Sequence, residues 1–307
     1  MKKQIFLDKN IKRLEDFVQN YYKKDRYLKN GYLIFSSLEI SINGACNRSC
    51  EFCPRVSKKN FPDIYKSLNF KSFKNMINDL KKINFEGRVS FSGFCEPLLT
   101  KYITDYIKFI KLSLPNVYID VVSNGDVIIE KNYKKFLNNL FDSGLDTIRV
   151  SLYDGEHQVK YFNKIKKEMN LKDEQLIIRK RYLGPEQSFG ITLSNRAGSV
   201  TLKKENIDIK ALTEPLKQAC YIPFHKILID YDGTALMCAN DWKKENPIGN
   251  INESSIIDLW TNNIFLSTRK RLINKDRSRI PCNKCDINGT LNGSVAFNKC
   301  KKCLKNK

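Results

Sequence analysis

Three cysteines in the order Cys46-x3-Cys50-x2-Cys53 stand inside the run Ile42-Asn43-Gly44-Ala45-Cys46-Asn47-Arg48-Ser49-Cys50-Glu51-Phe52-Cys53-Pro54. Three thiolates on one short loop can hold three corners of a cubane 4Fe-4S cluster and leave the fourth iron without a protein ligand. An open iron is a place for a small molecule to bind. Two plainer readings stand beside this one: three buried free cysteines, or a zinc loop short of its fourth ligand.

The elements that must position such a loop are legible from periodicity. Strand signals fall at 38–42, 88–94, 118–123, 147–152 and 176–182, and a sixth near 191–202. Amphipathic helical segments lie between them at 71–83, 101–113, 131–143 and 157–170, with Asn, Gly and Pro at the joints. This alternation implies a parallel sheet, hence an α/β fold. Residues 1–37 read as a polar, partly helical lead-in, with Ile11, Leu14, Val18 and Tyr21 at helical spacing. Near residue 205 the composition changes, and six of the ten cysteines lie beyond it. We therefore expect a lead-in (1–37), a main α/β domain (38–205) and a cysteine-rich tail domain (206–307).

At 307 residues the chain can bury a full core. Its N-terminus builds no signal-peptide core, and no stretch approaches the roughly 18 apolar residues of a membrane span. The cysteines then read as reduced metal ligands in a cytoplasmic protein. The formal charge is +21, from 54 basic and 33 acidic residues. Lysines scattered over almost every segment supply most of it, with no separate basic domain and no aromatic-studded RNA-binding motif, which argues against nucleic acid. A phosphorylated or otherwise anionic small molecule is the more economical partner for such a field. A zinc-bearing nucleic-acid-binding protein without catalytic activity is the competing reading from another class.

The Cys46–Cys53 loop, with aromatic Phe52 before its third cysteine and a strand running into it, resembles the signature of radical S-adenosylmethionine (SAM) enzymes. In that family the open iron chelates the amino and carboxylate groups of SAM, and an electron from the cluster yields a 5′-deoxyadenosyl radical. The resemblance implies a partial (β/α)6 TIM-like barrel with its chemistry at the C-terminal ends of the strands. It also implies an electron donor such as flavodoxin or ferredoxin. Ser92-Gly93-Phe94-Cys95-Glu96-Pro97 looks like a variant of the family's Gly-Gly-Glu-Pro turn, which serves the SAM amino group, with Cys95 where glycine is usual. Cys95 is either a hydrogen-atom donor or a small residue tolerated in a tight turn. Ser123-Asn124-Gly125 and Ser151, at later strand ends, suit the ribose and carboxylate of SAM. Arg179 and Arg181 share one face of the fifth strand by the period of two, where one of them could clamp the SAM carboxylate. Asn195 and Arg196 could line the substrate cavity.

The tail carries a second resemblance. Cys220-x12-Gly233-x4-Cys238 followed by Cys282-x2-Cys285, with a tight hairpin at Asp230-Tyr231-Asp232-Gly233, is similar to the Twitch/SPASM auxiliary-cluster domain, a small α+β unit. Those four cysteines would complete an auxiliary 4Fe-4S set, and Leu291 stands where a further SPASM cysteine is expected. Cys300-x2-Cys303 departs from the pattern. Paired with Cys282 and Cys285 it makes C-x2-C-x14-C-x2-C, close to a zinc spacing that would strand Cys220 and Cys238. His157 and His225 read as surface or packing residues. The two resemblances imply an oxidoreductase acting on a sugar, aminocyclitol or nucleotide-linked sugar, with epimerisation and peptide maturation as alternative outcomes of the same radical chemistry.

Overall fold

The structure, a computed structural model, describes residues 9–182, 193–204 and 207–305. Its strands are β1 (Ser37–Ile40), β2 (Asn43–Gly44), β3 (Ile64–Ser67), β4 (Arg88–Phe91), β5 (Tyr118–Ser123), β6 (Thr147–Leu152), β7 (Leu176–Lys180), β8 (Leu202–Lys204), β9 (Ile207–Ile209), β10 (Lys226–Ile229), β11 (Thr234–Leu236) and β12 (Pro247–Asn250). One sheet takes eight of them in the order β12-β11-β10-β1-β4-β5-β6-β7. From β10 to β7 every pairing is parallel; β11 and β12 add antiparallel edges.

Alternation along the strands divides this sheet into an apolar outer face and a polar inner one. Leu38, Ile40, Val89, Phe91, Ile119, Val121, Ile148 and Val150 are fully buried. Glu39, Arg88, Ser92, Arg149 and Ser151, between or just beyond them, line a cavity. Helices cover the outer face. In Phe70–Lys82 the residues Phe73, Met76, Ile77 and Leu80 recur at helical spacing and are buried, and Asn69 caps the first turn by accepting from Lys71 N at 2.9 Å. Helices Ile103–Ser113, Tyr133–Asp142 and Glu156–Glu168 follow the same logic, each within a few residues of its expected bounds. The N-terminal helix Lys9–Tyr21 buries Val18 and Tyr21 and sets Phe17 6.1 Å from the ring of Tyr118, so it closes the end of the barrel where the strands begin.

The expected sixth strand near 191–202 is not found: residues 193–201 form turns and irregular chain, while 191 and 192 lie outside the described residues. Ser194 Oγ and Asn195 N donate to Asp286 at 2.9 and 2.8 Å, so the polar groups of this segment serve a loop contact. The sixth parallel strand is β10, beyond the expected end of the barrel. It pairs with β1 and enters the hairpin at Asp230–Gly233, where Gly233 has φ +87°. The expected boundary at 205–206 falls outside the described residues, and the tail's strands continue the main sheet.

Candidate active site

The cysteine loop leaves the C-terminal end of β1 and is held from both sides by arginines. Arg55, almost fully buried, donates to Phe94 O at 2.7 Å, Gly44 O at 2.9 Å and Asp63 at 3.0 Å, pinning the loop to the turn after β4. Arg48 makes a forked pair with Asp126, at 2.6 and 2.5 Å, and another with Asp154, at 2.8 and 2.6 Å. The loop is thereby tied to the turns after β5 and β6. Sequence reasoning missed both arginines. They lie inside or beside the cysteine motif, but their partners are distant in sequence.

Cys46, Cys50 and Cys53 line a cavity of about 410 Å³ at the strand ends. Burial raises all three thiols, Cys50 to about 11. Neutral thiols are poor ligands, and a bound iron cluster would take off their protons and offset that burial. Three sulfurs from one loop, facing a cavity of this size, suit a cluster with one open iron.

Phe52, Cys95, Glu96, Ser123, Asn124, Ser151, Arg179, Arg181 and Arg196 line the same cavity, so nearly every residue singled out above is brought together. Glu96 joins two of the turns: its carboxylate accepts from Asn124 N at 2.7 Å and from Leu98 N at 3.1 Å. Burial pushes it up to about 7 against those hydrogen bonds. Gly125 N donates to Ser123 Oγ at 2.9 Å, and its φ of +86° opens the turn that carries Asn124. Cys95 also lines the cavity, its thiol raised by burial and its sulfur only 3.7 Å from Ser92 O. Asn195 is the exception. Fully buried, it donates to Lys210 O at 2.8 Å and Lys284 O at 2.7 Å and braces the tail instead of facing the cavity. Tyr153, stacked 5.5 Å from Phe52, and Trp242, 4.6 Å from Phe94, are cavity walls that sequence reasoning did not find.

The second cysteine group also converges. Cys220, Cys238, Cys282 and Cys285 line one small enclosed cavity with Ile222, Met237, Leu272 and Ile287. Burial raises Cys220, Cys282 and Cys285 to about 12. Arg277 fastens the segments that carry them, donating to Gln218 O and Ala219 O at 3.0 Å and to Ile287 O and Asn288 O at 2.7 Å. Backbone and side-chain nitrogens of Asn240 both lie 3.4 Å from Cys238 Sγ. Four cysteines around one cavity make a donor set that suits a cubane cluster. Cys300 and Cys303 do not line that cavity. Both stand on the helix Ser294–Lys305, near Tyr22, Tyr27 and Arg269. His157 is exposed, and His225 is buried and held neutral, its pKa lowered to about 3 by burial.

Comparison with known proteins agrees with this geometry. Residues 40–176 match the model of the radical SAM superfamily, and residues 220–286 match SPASM, an iron-sulfur cluster-binding domain. The S-adenosyl-L-methionine-dependent 2-deoxy-scyllo-inosamine dehydrogenase of Niallia circulans is 28% identical over 261 residues, covering 82% of this chain and 93% of that protein. Among solved structures, BtrN in complex with AdoMet and 2-DOIA superposes with a TM-score of 0.67 at 24% identity, covering 85% of this chain and 98% of BtrN. Native anSMEcpe with bound AdoMet gives 0.52 at 15% identity, covering 88% and 96%. At these identities the two superpositions establish a shared fold. No helix among the described residues is long and apolar enough to cross a membrane.

Proposed function

We propose that this chain, which belongs to the radical SAM enzymes and carries a SPASM-type iron-sulfur domain, oxidises an alcohol carbon of a small hydroxylated molecule to a ketone. The substrate classes are a sugar, an aminocyclitol or a nucleotide-linked sugar, the aminocyclitol suggested by the dehydrogenase relative. When bound, SAM on the Cys46–Cys53 cluster supplies the hydrogen-abstracting radical, and a cluster held by the four tail cysteines supplies a one-electron sink. The substrate gives up a carbon-bound hydrogen atom, its hydroxyl proton and one further electron.

The observation that carries this reading is the wall between the two cavities. Cys238 lines the small cavity and the next residue, Ala239, lines the large one; Arg196 and Ala197 divide the same way. Arg196 also donates to Asn240 Oδ1 at 3.3 Å. An electron leaving the large cavity thus has a neighbouring site built from four thiols, enclosed by apolar side chains. On the SAM side, the Glu96 carboxylate serves the ammonium, and Ser123, Asn124 and Ser151 serve the ribose and carboxylate, with Arg179 or Arg181 as the forked partner of the carboxylate. A cytoplasmic protein reduced by flavodoxin or ferredoxin fits this chemistry.

The test is to incubate reconstituted protein with dithionite, SAM and a panel of sugars, sugar nucleotides and aminocyclitols in deuterated water. We expect 5′-deoxyadenosine in equal amount with a product two mass units lighter than its substrate. Solvent deuterium on an unoxidised product carbon would overturn oxidation in favour of epimerisation. Cys95 supports that second reading, because burial keeps its thiol protonated beside the cavity.

A further inference from the structure

The wall between the two cavities holds a polar side chain whose orientation is dictated from both sides. Asn240, almost fully buried, lines the small cavity two residues after Cys238. Its Oδ1 accepts from Arg196 Nη1 at 3.3 Å, and its Nδ2 lies 3.4 Å from Cys238 Sγ. A guanidinium has five donors and no acceptor, so it meets the carbonyl end of the amide. The NH2 end is thereby turned to the sulfur, where the backbone N of the same residue also stands at 3.4 Å.

Arg196 is held in place by an uncommon backbone. Arg196 and Ala197 take φ of +46° and +52°, left-handed values that residues with side chains rarely adopt, ahead of Gly198 at +83°. Two such residues in succession persist only where their surroundings fix them, and strain of this kind gathers at functional sites. Here Arg196 N donates to Ser194 Oγ at 3.1 Å, while Ser194 Oγ and Asn195 N donate to Asp286, the neighbour of Cys285. The turn thus sends Arg196 to the large cavity and Ala197 to the small one.

We propose that Asn240, oriented by Arg196, is a positioning residue that sets the potential of the tail cluster. This rests on the reading that the four tail cysteines hold an iron-sulfur cluster that takes the substrate's second electron. An N–H dipole aimed at a ligand sulfur favours the more negative, reduced state, and hydrogen bonds to the sulfurs are one of the ways a protein moves cluster potential. The donor therefore makes the tail a better electron acceptor, at the sulfur whose chain neighbour Ala239 borders the large cavity.

The experiment is an oxygen-free redox titration of the reconstituted full-length protein, followed by electron paramagnetic resonance, with SAM added to mark the signal of the Cys46–Cys53 cluster. The signal that SAM leaves unmoved reports the tail. Asn240→Leu removes the donor and should cut the reduced-to-oxidised ratio of the tail cluster, read at the wild-type midpoint, by roughly tenfold, which is about 59 mV for one electron. Asn240→Asp keeps the shape and the acceptor for Arg196 but puts negative charge in place of the donor, and should lower the ratio at least as far. Arg196→Met should lower it more in the wild-type background than beside Asn240→Leu, because only with Asn240 present is there an amide to turn away. Additive shifts would reduce Arg196 to a nearby charge and overturn its orienting role; unmoved potentials in both Asn240 variants overturn the whole proposal. Should Asn240→Leu shed the tail iron, Asn240→Asp reads the same change, and loss of that iron from both variants makes Asn240 a structural support and overturns the proposal as well. A wild-type chain with about four irons breaks the tail-cluster reading itself, whereas about eight irons with unmoved potentials breaks this inference alone.

Discussion

The two cysteine sites are built in opposite ways. Cys46, Cys50 and Cys53 come from one short loop, face a cavity of about 410 Å³, and are held by Arg48 and Arg55. Cys220, Cys238, Cys282 and Cys285 come from three separated segments and enclose a small space with Ile222, Met237 and Leu272. A loop that supplies three ligands and opens on a charged cavity leaves room for a reactant at the metal. Four cysteines around a small, largely apolar cavity would leave none if they hold a cluster, and would suit a site through which electrons pass. The difference lies in ligand number and solvent access, since burial raises the thiols at both sites.

The sharpest way to break this comparison is to remove cysteines from one site at a time. Cys50→Ala should abolish 5′-deoxyadenosine formation, down to background, while about four irons per chain remain in the tail. Retained SAM cleavage would end the radical SAM assignment of that loop. A Cys282→Ala/Cys285→Ala variant should do the reverse: SAM is still cleaved, ketone is not formed, and only the tail iron is lost. Chromatography of 5′-deoxyadenosine beside product mass reads both, and equal loss of both activities in the two variants would mean that the sites are not separable.

Arg277 tests how the second site is held. Its guanidinium donates to four backbone carbonyls, on the segment that carries Cys220 and on the one that follows Cys285. Arg277→Leu leaves those acceptors buried without donors and should lower stability by on the order of 3 kcal/mol. We expect a lower urea midpoint and loss of tail iron, with the Cys46–Cys53 cluster intact. Normal stability and iron content would show that the cysteines and their cluster suffice.

The same contrast explains what could be read from the sequence. The first site is local, so its spacing and the strand before it disclosed it. Motifs at later strand ends were also local, and β4 to β7 have the apolar alternation of covered parallel strands. The sixth strand was misplaced because pairing with β1 is a contact across 189 residues that no window reports, as the Ser36–His225 bond next to it shows. Arg48 was missed for a like reason, its carboxylates lying 78 and 106 residues away. Asn195 was read as a cavity residue from its expected place in or near the sixth strand, but a buried side-chain amide goes where carbonyls need donors, here Lys210 and Lys284.

Glu96 gives the smallest effect and the finest test of the open site. Its carboxyl is pushed from an ordinary 4.5 up to about 7 by burial. The folded protein therefore binds this proton more tightly than the unfolded chain does. The resulting stability is full below about 4.5, is lost as pH rises through about 7, and is constant above that. SAM binding should run the opposite way, because an ammonium ligand needs the ionised carboxylate. Between pH 6 and pH 8 the ionised fraction rises about tenfold, and SAM affinity should rise by about that factor. Glu96→Gln should flatten the profile near its acid limit, since the amide oxygen still accepts from Asn124 N and Leu98 N and keeps the turn in place. Equilibrium dialysis of labelled SAM at pH 6, 7 and 8 checks it. An equal affinity at all three values would take the SAM ammonium away from Glu96 and leave that carboxyl as the clasp between two turns.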